Sequence, residues 1–445
     1  MKLSKLMLAV ATLAAGASVI AAPDGNRIAI SSGASATLGN LMTNTSPVSA
    51  MRSLCTAAGG VATLFGAGNF RTMVCANSVV VAGNGAGQYG QRANADFINF
   101  DGTTFAELRL NVDPGSFGAV LVLNPNTLSW HDPATSTNTA TLPANSVKVG
   151  GLLDLGIDGF TSGTIGTNNV FTATKVGIAQ TFGLAVSGAL YTALFNAQKV
   201  PPVTVPATVP VIPAACLLTD TNIPACVPTV GKAQMATIMA DNQANAAYTK
   251  GLGFLTGFAA DNNTQLRYVR RVDTSGTQAA AQNYFLGLPC STSALSVVPE
   301  PTLAPVLPEV LKNRVIGKIR VMAAPATGDV RTELNKAGVF AIGVMSGENN
   351  QTGSWKWVRV NGANMGENAT PGSAGITNTY TQRNGNYDFY YESVYQGGSD
   401  DADAFWATVS LALNSIAAPI GLVENTILSA GYTKGGQACI NSASE

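Results

Sequence analysis

Histidine and charged residues are scarce in this chain of 445 residues. It has one histidine, His131, and charged side chains make up 11% of its residues, against about 25% in an ordinary soluble domain. Lys plus Arg and Asp plus Glu both number 25, so the composition shows no basic excess for nucleic acid or for an anionic membrane. A single histidine and the absence of any CxxC pair disfavour a metal centre. We therefore expect no cofactor and no enzyme, since an exported phosphatase would need a metal cluster or an activated nucleophile.

Long apolar runs are also missing beyond the N-terminus. The segment Met1-Lys-Leu-Ser-Lys5 is basic, residues 6–20 are apolar and small, and Ala21-Ala22 resembles a cleavage site. Because the apolar run is shorter than the roughly 20 residues that span a bilayer, residues 1–22 predict a secretory signal peptide. No cysteine follows to carry a lipid. We expect a protein of the periplasm or the cell exterior, with no membrane insertion after cleavage.

Cysteine is present in an even number, which favours disulfide bonds in an exported protein. Six cysteines allow several pairings. We expect two local loops and one long-range link, namely Cys55 with Cys75, Cys216 with Cys226, and Cys290 with Cys439.

The segment from Tyr268 to Gly287 predicts a strand, a turn and a helix. An extended run leads into small and hydroxyl residues, and an Ala-rich stretch follows, stopped by Gly287. The first turn of a helix exposes unpaired N–H groups and the positive end of the helix dipole, so it can bind an oxyanion. In the turn, Ser275 and Thr277 add hydroxyl donors, Gly276 lets the backbone approach closely, and Arg271 could grip two oxygens.

A plainer interpretation of the same segment is that Ser275 or Thr277 caps a structural helix and that Arg271 is solvated. The motif Arg271-Val-Asp-Thr-Ser-Gly-Thr277, however, resembles the signature of the periplasmic phosphate-binding proteins of ABC transporters. That resemblance implies that the Arg, Ser, Gly and Thr of the motif contact the ligand.

A second turn near the N-terminus resembles the same family. The strand that begins at Arg27 is followed by Gly33-Ala-Ser-Ala-Thr-Leu38, where the family has Gly-Ala-x-Ala-Thr-Phe. The resemblance implies that Thr37 and the backbone N–H of Leu38 bind the anion. Leu38 replaces the family's aromatic residue, which leaves that N–H in place.

Asp158 lies in a segment, residues 152–160, that resembles the family's Asp-x-Gly-x-Ser-Asp. In the family this last Asp accepts a hydrogen bond from a protonated ligand oxygen. Here Asp158 comes one position early and Gly159 stands in its place. Either Asp158 acts through a shifted loop or the site lacks this acceptor, so the identity of the anion stays open.

The rest of the chain predicts alternating strands and helices. We expect a first crossing strand at residues 176–179 and a return crossing at 384–391. Trp355 and Trp357, at a period of two, are expected on one sheet face. Further predicted elements are strands at 108–112, 119–123, 316–322, 339–345 and 355–360, helices at 189–194, 229–239 and from 400 to 416, and a polar loop at 135–141 near a surface-exposed His131.

These pieces together predict an α/β protein with the two-lobed fold of type 2 periplasmic binding proteins. Lobe I would comprise residues 27–170 and 386–445, with an inserted β-rich segment at about 76–150, and lobe II residues 171–385. Two crossings would join the lobes around a ligand cleft. The predicted function is capture of inorganic phosphate or a related oxyanion by a monomer that serves an ABC permease. The alternative is a surface or adhesion protein built on the same scaffold without a transport role.

Overall fold

The computed structural model describes about three fifths of the chain. The described residues are 27–31, 50–85, 88–100, 105–112, 128–143, 146–149, 151–153, 160–161, 164–165, 174–199, 212–242, 244–288, 296–301, 312–347, 349, 351–365, 386–396, 405, 407 and 422–424.

Strands dominate the described structure. They are β1 (Arg27–Ser31), β2 (Val61–Ala67), β3 (Phe70–Ala76), β4 (Glu107–Asn111), β5 (Trp130–Asp132), β6 (Thr137–Thr139), β7 (Ser146–Val149), β8 (Gly151–Leu153), β9 (Phe160–Thr161), β10 (Thr164–Ile165), β11 (Thr174–Val186), β12 (Thr229–Val230), β13 (Leu266–Arg271), β14 (Lys312–Ile316), β15 (Ile319–Ala324), β16 (Ala341–Ser346), β17 (Lys356–Val360), β18 (Tyr390–Gln396) and β19 (Leu422–Glu424).

The described helices are fewer and lie mostly in the second half of the chain. They are α1 (Ala50–Ala57), α2 (Gly188–Lys199), α3 (Lys232–Met239), α4 (Ala246–Lys250), α5 (Leu252–Thr256), α6 (Gly276–Ala281) and α7 (Thr327–Leu334), and a π-helical turn, Gln282–Leu286, continues α6.

A five-stranded sheet is built from the N-terminal part of the chain, in the order β2-β3-β4-β1-β7. The predicted strand at Arg27 is present as β1, and it pairs in parallel with both β4 and β7. The Cys55–Cys75 disulfide joins α1 to β3. Glu107 and Arg109, both buried, form an ion pair inside this sheet, and the Tyr89 hydroxyl donates to Glu107.

The polar segment at 135–141 is not only a loop, because β6 lies within it and pairs with β5 as a hairpin. His131 lies in β5, half-buried, with Nδ1 3.3 Å from Asn138 Oδ1.

A ten-stranded mixed sheet is the largest element of the structure, in the order β12-β17-β11-β16-β13-β15-β14, with β18, β19 and β8 attached at β11 and β18. The fold is therefore mixed α/β. Its centre has β13 between β15 and β16, and all three strands are parallel. Helices cover both faces: α6 packs on one with Tyr268 and Ile342, and α7 on the other with Val269 and Met345.

The two predicted crossing strands pair with each other. The C-terminal half of β11 pairs with β16 and β17, and its N-terminal half pairs with β18, where Gln180 lies opposite Tyr391. Because β8 and β19 also join this part of the sheet, strands from both predicted lobes share it. The lobe boundaries remain a prediction.

Several local predictions change in detail. Residues 316–322 are not one strand: β14 and β15 form a hairpin that turns at Gly317-Lys318, and Gly317 has a φ of +56°. The helix expected from residue 229 begins at Lys232, because Thr229 belongs to β12. The Trp pair does share a sheet face, since the rings of Trp355 and Trp357 meet edge to face at 5.0 Å.

Some predictions lie outside the described residues. These are the signal peptide, the strand at 119–123, the cysteines 290 and 439, and, apart from residues 405 and 407, the helix from 400 to 416. The two local disulfides, Cys55–Cys75 and Cys216–Cys226, are both formed.

Candidate functional site

The predicted strand, turn and helix are present. Strand β13 ends at Arg271, residues 272–275 form the turn, and α6 begins at Gly276. Ser275 N–H donates to Val272 O at 3.0 Å, and Ala279 N–H donates to Ser275 O at 3.0 Å as the first helical bond. The π-helical turn that follows stops at Gly287, where φ is +70°, a value that favours glycine.

This turn lies where the order of strands in the sheet reverses. From β13 the chain moves to β15 on one side and then, through α7, to β16 on the other. Helix α6 follows β13 and helix α7 follows the neighbouring parallel strand β15. The two helices lie on opposite faces of the sheet. Such a reversal opens a crevice at the carboxyl edge of an α/β sheet, where ligands commonly bind.

Ser275 and Thr277 are both buried at this point, 3% and 6% exposed. Ser275 is the residue before α6, but its side chain makes no capping hydrogen bond. Within the described part of the chain, neither hydroxyl has a hydrogen-bond partner. The plainer interpretation, a hydroxyl cap, is therefore absent, and two donors remain beside the N–H groups of the first helical turn.

The side chain of Arg271 is bonded to the protein rather than solvated, and its bonds reach beyond the turn at residues 272–275. Its guanidinium donates from Nε to Ala324 O at 3.1 Å, from Nη2 to Pro325 O at 2.9 Å and from Nη1 to Thr327 Oγ1 at 2.8 Å. These acceptors belong to the end of β15 and the start of α7. Arg271 thus ties the two crevice-forming turns together, and its positive charge lies between them.

Arg270, rather than Arg271, pairs with the aspartate of the turn. Its side chain is buried, donates to Val298 O at 2.8 Å and forms an ion pair with Asp273. The Asp273 N–H donates to Glu300 Oε2 at 3.0 Å. Sequence reasoning missed Glu300, since no motif surrounds it and only the fold brings residues 298–300 beside the turn.

Gln278 fixes the start of the helix to the strand. Its Oε1 accepts from Arg271 N–H at 3.1 Å, and its Nε2 lies 3.5 Å from the Tyr268 hydroxyl. Burial raises the pKa of Tyr268, while the nearby charge of Arg270 and the bond to Gln278 oppose that rise. The Tyr268 side chain is therefore neutral at ordinary pH. The buried side chain of Gln278 connects the start of α6 to β13.

The other end of the helix contacts the return strand. The Tyr284 hydroxyl donates to Asp388, and the Tyr391 hydroxyl donates to Asn283 Oδ1 at 2.5 Å. Burial and then Asp388 raise the pKa of Tyr284. Lys232 Nζ lies 3.9 Å from the centre of the Tyr284 ring, and burial lowers the pKa of this lysine, against the influence of Asp388.

The other predicted ligand residues, Thr37, Leu38 and Asp158, lie outside the described residues, so their approach to Ser275 and Thr277 stays a prediction. Among the residues that are described, no group of histidine, cysteine and carboxylate side chains is arranged to hold a metal ion. In the same part of the chain, no helix is long and apolar enough to cross a membrane.

Comparison with known proteins identifies no family for the chain. No family model matches it, and no curated protein matches its sequence. One solved structure, described as a phosphate ABC transporter substrate-binding protein with bound phosphate from Clostridium perfringens, aligns with a TM-score of 0.36 and 12% identity, over 86% of this chain and 93% of that one. This similarity is too low to support an argument about function.

Proposed function

We propose that the protein is an exported solute-binding protein that captures phosphate or a similar tetrahedral oxyanion for uptake by an ABC permease. The anion would bind at Ser275, Gly276 and Thr277, with the charge of Arg271 beside it. The site would be completed by Thr37 and the N–H of Leu38, from the turn at residues 33–38, and by Asp158, from the segment 152–160.

The observation that carries the proposal is the pair of unpartnered hydroxyls at the start of α6. The two residues are 3% and 6% exposed, and they stand at the helix start, where the first turn leaves backbone N–H groups without helical partners. An oxyanion in the crevice would accept from both hydroxyls and from the N–H groups of the helix. The motif Arg271-Val-Asp-Thr-Ser-Gly-Thr277 supports the same ligand by its resemblance to phosphate-binding proteins.

The electrostatic balance of the crevice suits an anion of low charge. Arg270 and Asp273 neutralise each other, and Glu300 adds a negative charge beside the Asp273 N–H. A fully desolvated divalent anion would therefore meet little net positive charge. Hydrogen bonds, rather than ion pairs, would supply most of the affinity.

The test is calorimetric titration of the purified protein, freed of ligand by partial unfolding and refolding, with phosphate, arsenate, sulfate and molybdate. We expect binding at a ratio of one to one for at least one of these anions. A folded protein that gives no heat with any of them would contradict the proposal.

The second candidate is a surface or adhesion protein without a transport role. The observation that favours it is that every guanidinium nitrogen of Arg271 already donates to a protein oxygen, so this arginine can be purely structural. In that case the hydroxyls of Ser275 and Thr277 would donate hydrogen bonds to water molecules. The same titration separates the candidates, because only the first predicts a saturable anion.

A further inference from the structure

Four basic residues gather at the end of the ten-stranded sheet that lies opposite the proposed anion site. Arg320 is next to the start of β15, Arg314 lies near the end of β14, Lys318 occupies the turn between these strands, and Lys250 ends α4. The overall balance of 25 basic and 25 acidic residues conceals this local excess. We call these four residues the basic rim.

None of the four residues of the basic rim forms an ion pair within the described structure. Arg314 and Lys250 are exposed, while Lys318 and Arg320 are half-buried. The Nε of Arg320 is covered by protein and has no hydrogen-bond partner. These charges therefore do not serve to neutralise protein carboxylates.

The neighbourhood adds more positive charge than negative. Arg267 lies directly opposite Arg320 in the parallel register of β13 and β15. Arg267 and Lys336 share one buried carboxylate, that of Glu333. Like charges that face each other across a sheet are unfavourable, so an anionic partner at this end would relieve the repulsion.

The nearby carboxylates do not cancel the rim. Asp261 accepts a hydrogen bond from Thr256 at 2.7 Å. The charge of Asp241 contributes to the raised pKa of Tyr248, a residue of α4. Among the residues that the structure describes, these two carboxylates and Glu333 make three acidic groups. They face six basic ones, the four of the rim together with Arg267 and Lys336. An excess of positive charge remains.

Close backbone contacts hold the rim in place. Lys318 N–H donates to Tyr248 O at 2.7 Å, and a Cβ at Gly317 would lie 2.4 Å from that same oxygen. At Gly251 a Cβ would lie 2.3 Å from Thr264 O and 2.9 Å from Lys318 Cβ. These close approaches fix the β14–β15 turn against α4, so the backbone that carries the charges is held in place.

An exposed apolar side chain accompanies the charges. Val315 is 49% exposed and lies directly opposite Arg320 in the β14–β15 hairpin. Arg314 and Arg320 point to opposite faces of the hairpin, because neighbours along a strand alternate and Val315 is the cross-strand partner of Arg320. Charges thus surround the tip on both sides instead of lining a groove.

We propose that the basic rim adsorbs to the surface of an anionic lipid bilayer, with Val315 entering the headgroup layer. A hairpin tip with positive charge on both faces fits a flat array of mobile anions better than it fits one extended chain. Surface cations contribute to adsorption additively near an anionic membrane. This inference is independent of the proposed anion site, which lies at the other end of β13.

A purely structural account of the rim also exists. Charged residues on edge strands such as β14 prevent sheets from pairing edge to edge. That account predicts no attraction to lipid, and it predicts that removing the charges promotes self-association.

The experiment is sedimentation of the full protein with vesicles of equal parts phosphatidylglycerol and phosphatidylcholine, and with vesicles of phosphatidylcholine alone. We expect binding to the first and not to the second, with weakening as salt rises. The double variant Arg314→Gln, Lys318→Gln should lower the partition coefficient about thirtyfold, at about fivefold per cation.

The matched control is Arg52→Gln, Lys356→Gln, which removes one arginine and one lysine elsewhere and should retain binding within about threefold. Thr277→Val should also retain it, since the anion site is separate. Equal losses in the double variant and its control would overturn the proposal. Failure of the wild-type protein to bind anionic vesicles at low salt would also overturn it, whether or not the rim variant self-associates.

Discussion

The Nη1 of Arg271 donates to Thr327 Oγ1 at 2.8 Å, which links the end of β13 to the first residue of α7. The same guanidinium bonds the carbonyls of Ala324 and Pro325. One side chain therefore fixes the relative position of the two turns that form the crevice. A ligand bound at Ser275 and Thr277 would depend on that position even without touching Arg271.

Replacing Arg271 with lysine should separate geometry from charge. Arg271→Lys keeps the positive charge but cannot reach three acceptors at once, so we expect anion affinity to fall about tenfold. Thr327→Val removes one acceptor only, and it should cost about 1 kcal/mol of stability with affinity within twofold. Calorimetry and urea unfolding of the two variants measure both effects; equal affinities for Arg271→Lys and wild type would show that the turns are positioned by other contacts.

The buried pair of Glu107 and Arg109 should be a large single contribution to the stability of the five-stranded sheet. In Glu107→Gln the guanidinium retains Asp132 Oδ1, at 3.6 Å, as a more distant carboxylate, so we expect a loss toward the lower end of the about 3–5 kcal/mol that breaking a buried ion pair costs. Tyr89→Phe removes only the hydroxyl that donates to Glu107, so it should cost about 1 kcal/mol. Denaturant unfolding of both variants checks the difference. Similar losses for the two would mean that Arg109 finds another partner.

The two formed disulfides should stabilise the protein by similar amounts. Cys55–Cys75 closes a separation of 20 residues and Cys216–Cys226 one of 10. Chain entropy alone then predicts about 3 kcal/mol for each, slightly more for the longer loop. Thermal unfolding of the two double Cys→Ala variants tests this. A loss far larger for Cys216–Cys226 would point to packing of that loop rather than to chain entropy.

The tip of the β14–β15 hairpin should tolerate no side chain at its glycine. Gly317→Ala puts a Cβ 2.4 Å from Tyr248 O at a φ of +56°, so we expect a loss of about 1–3 kcal/mol. Gly328→Ala is the matched control, because its Cβ would meet no atom within 4 Å and alanine favours the helix by about 1 kcal/mol. The two changes should shift the unfolding midpoint in opposite directions, and a shared direction would refute the argument.

Local sequence pattern predicted the elements whose signals are local. The strand–turn–helix at residues 266–286 was predicted correctly because its apolar run, small-residue turn and Gly287 stop lie next to one another. Two cysteine pairs were also correct, as each closes a short loop. The hairpin at 312–324 was missed because Gly317-Lys318 separates two apolar runs that together resemble one strand.

Contacts between distant segments could not be predicted in the same way. Glu300 meets Asp273 only through the fold, and Arg271 finds its acceptors at Ala324, Pro325 and Thr327 because β13 and β15 are neighbours. The net charge of zero likewise gives no indication that Lys250, Arg314, Lys318 and Arg320 lie close together. Sequence alone thus identified the turn, and the fold determines which groups surround it.

The hydroxyls at the start of α6 test the central claim most directly. In the double variant Ser275→Ala, Thr277→Val, each lost hydroxyl should remove a hydrogen bond to a charged ligand, about 1.5–3 kcal/mol. Calorimetric titration with the anion that binds the wild type should therefore show a hundredfold or greater loss of affinity. Because the hydroxyls have no partner among the described residues, the ligand-free variant should be as stable as wild type or slightly more stable.

Thr249→Val is the control for this measurement, since Thr249 is an exposed helix residue whose hydroxyl bonds only backbone oxygens. It should leave affinity unchanged. The account predicts lost affinity with retained stability in the double variant alone. Wild-type affinity in that variant, or an equal loss in Thr249→Val, would contradict the assignment of the turn at residues 272–277 as the anion site.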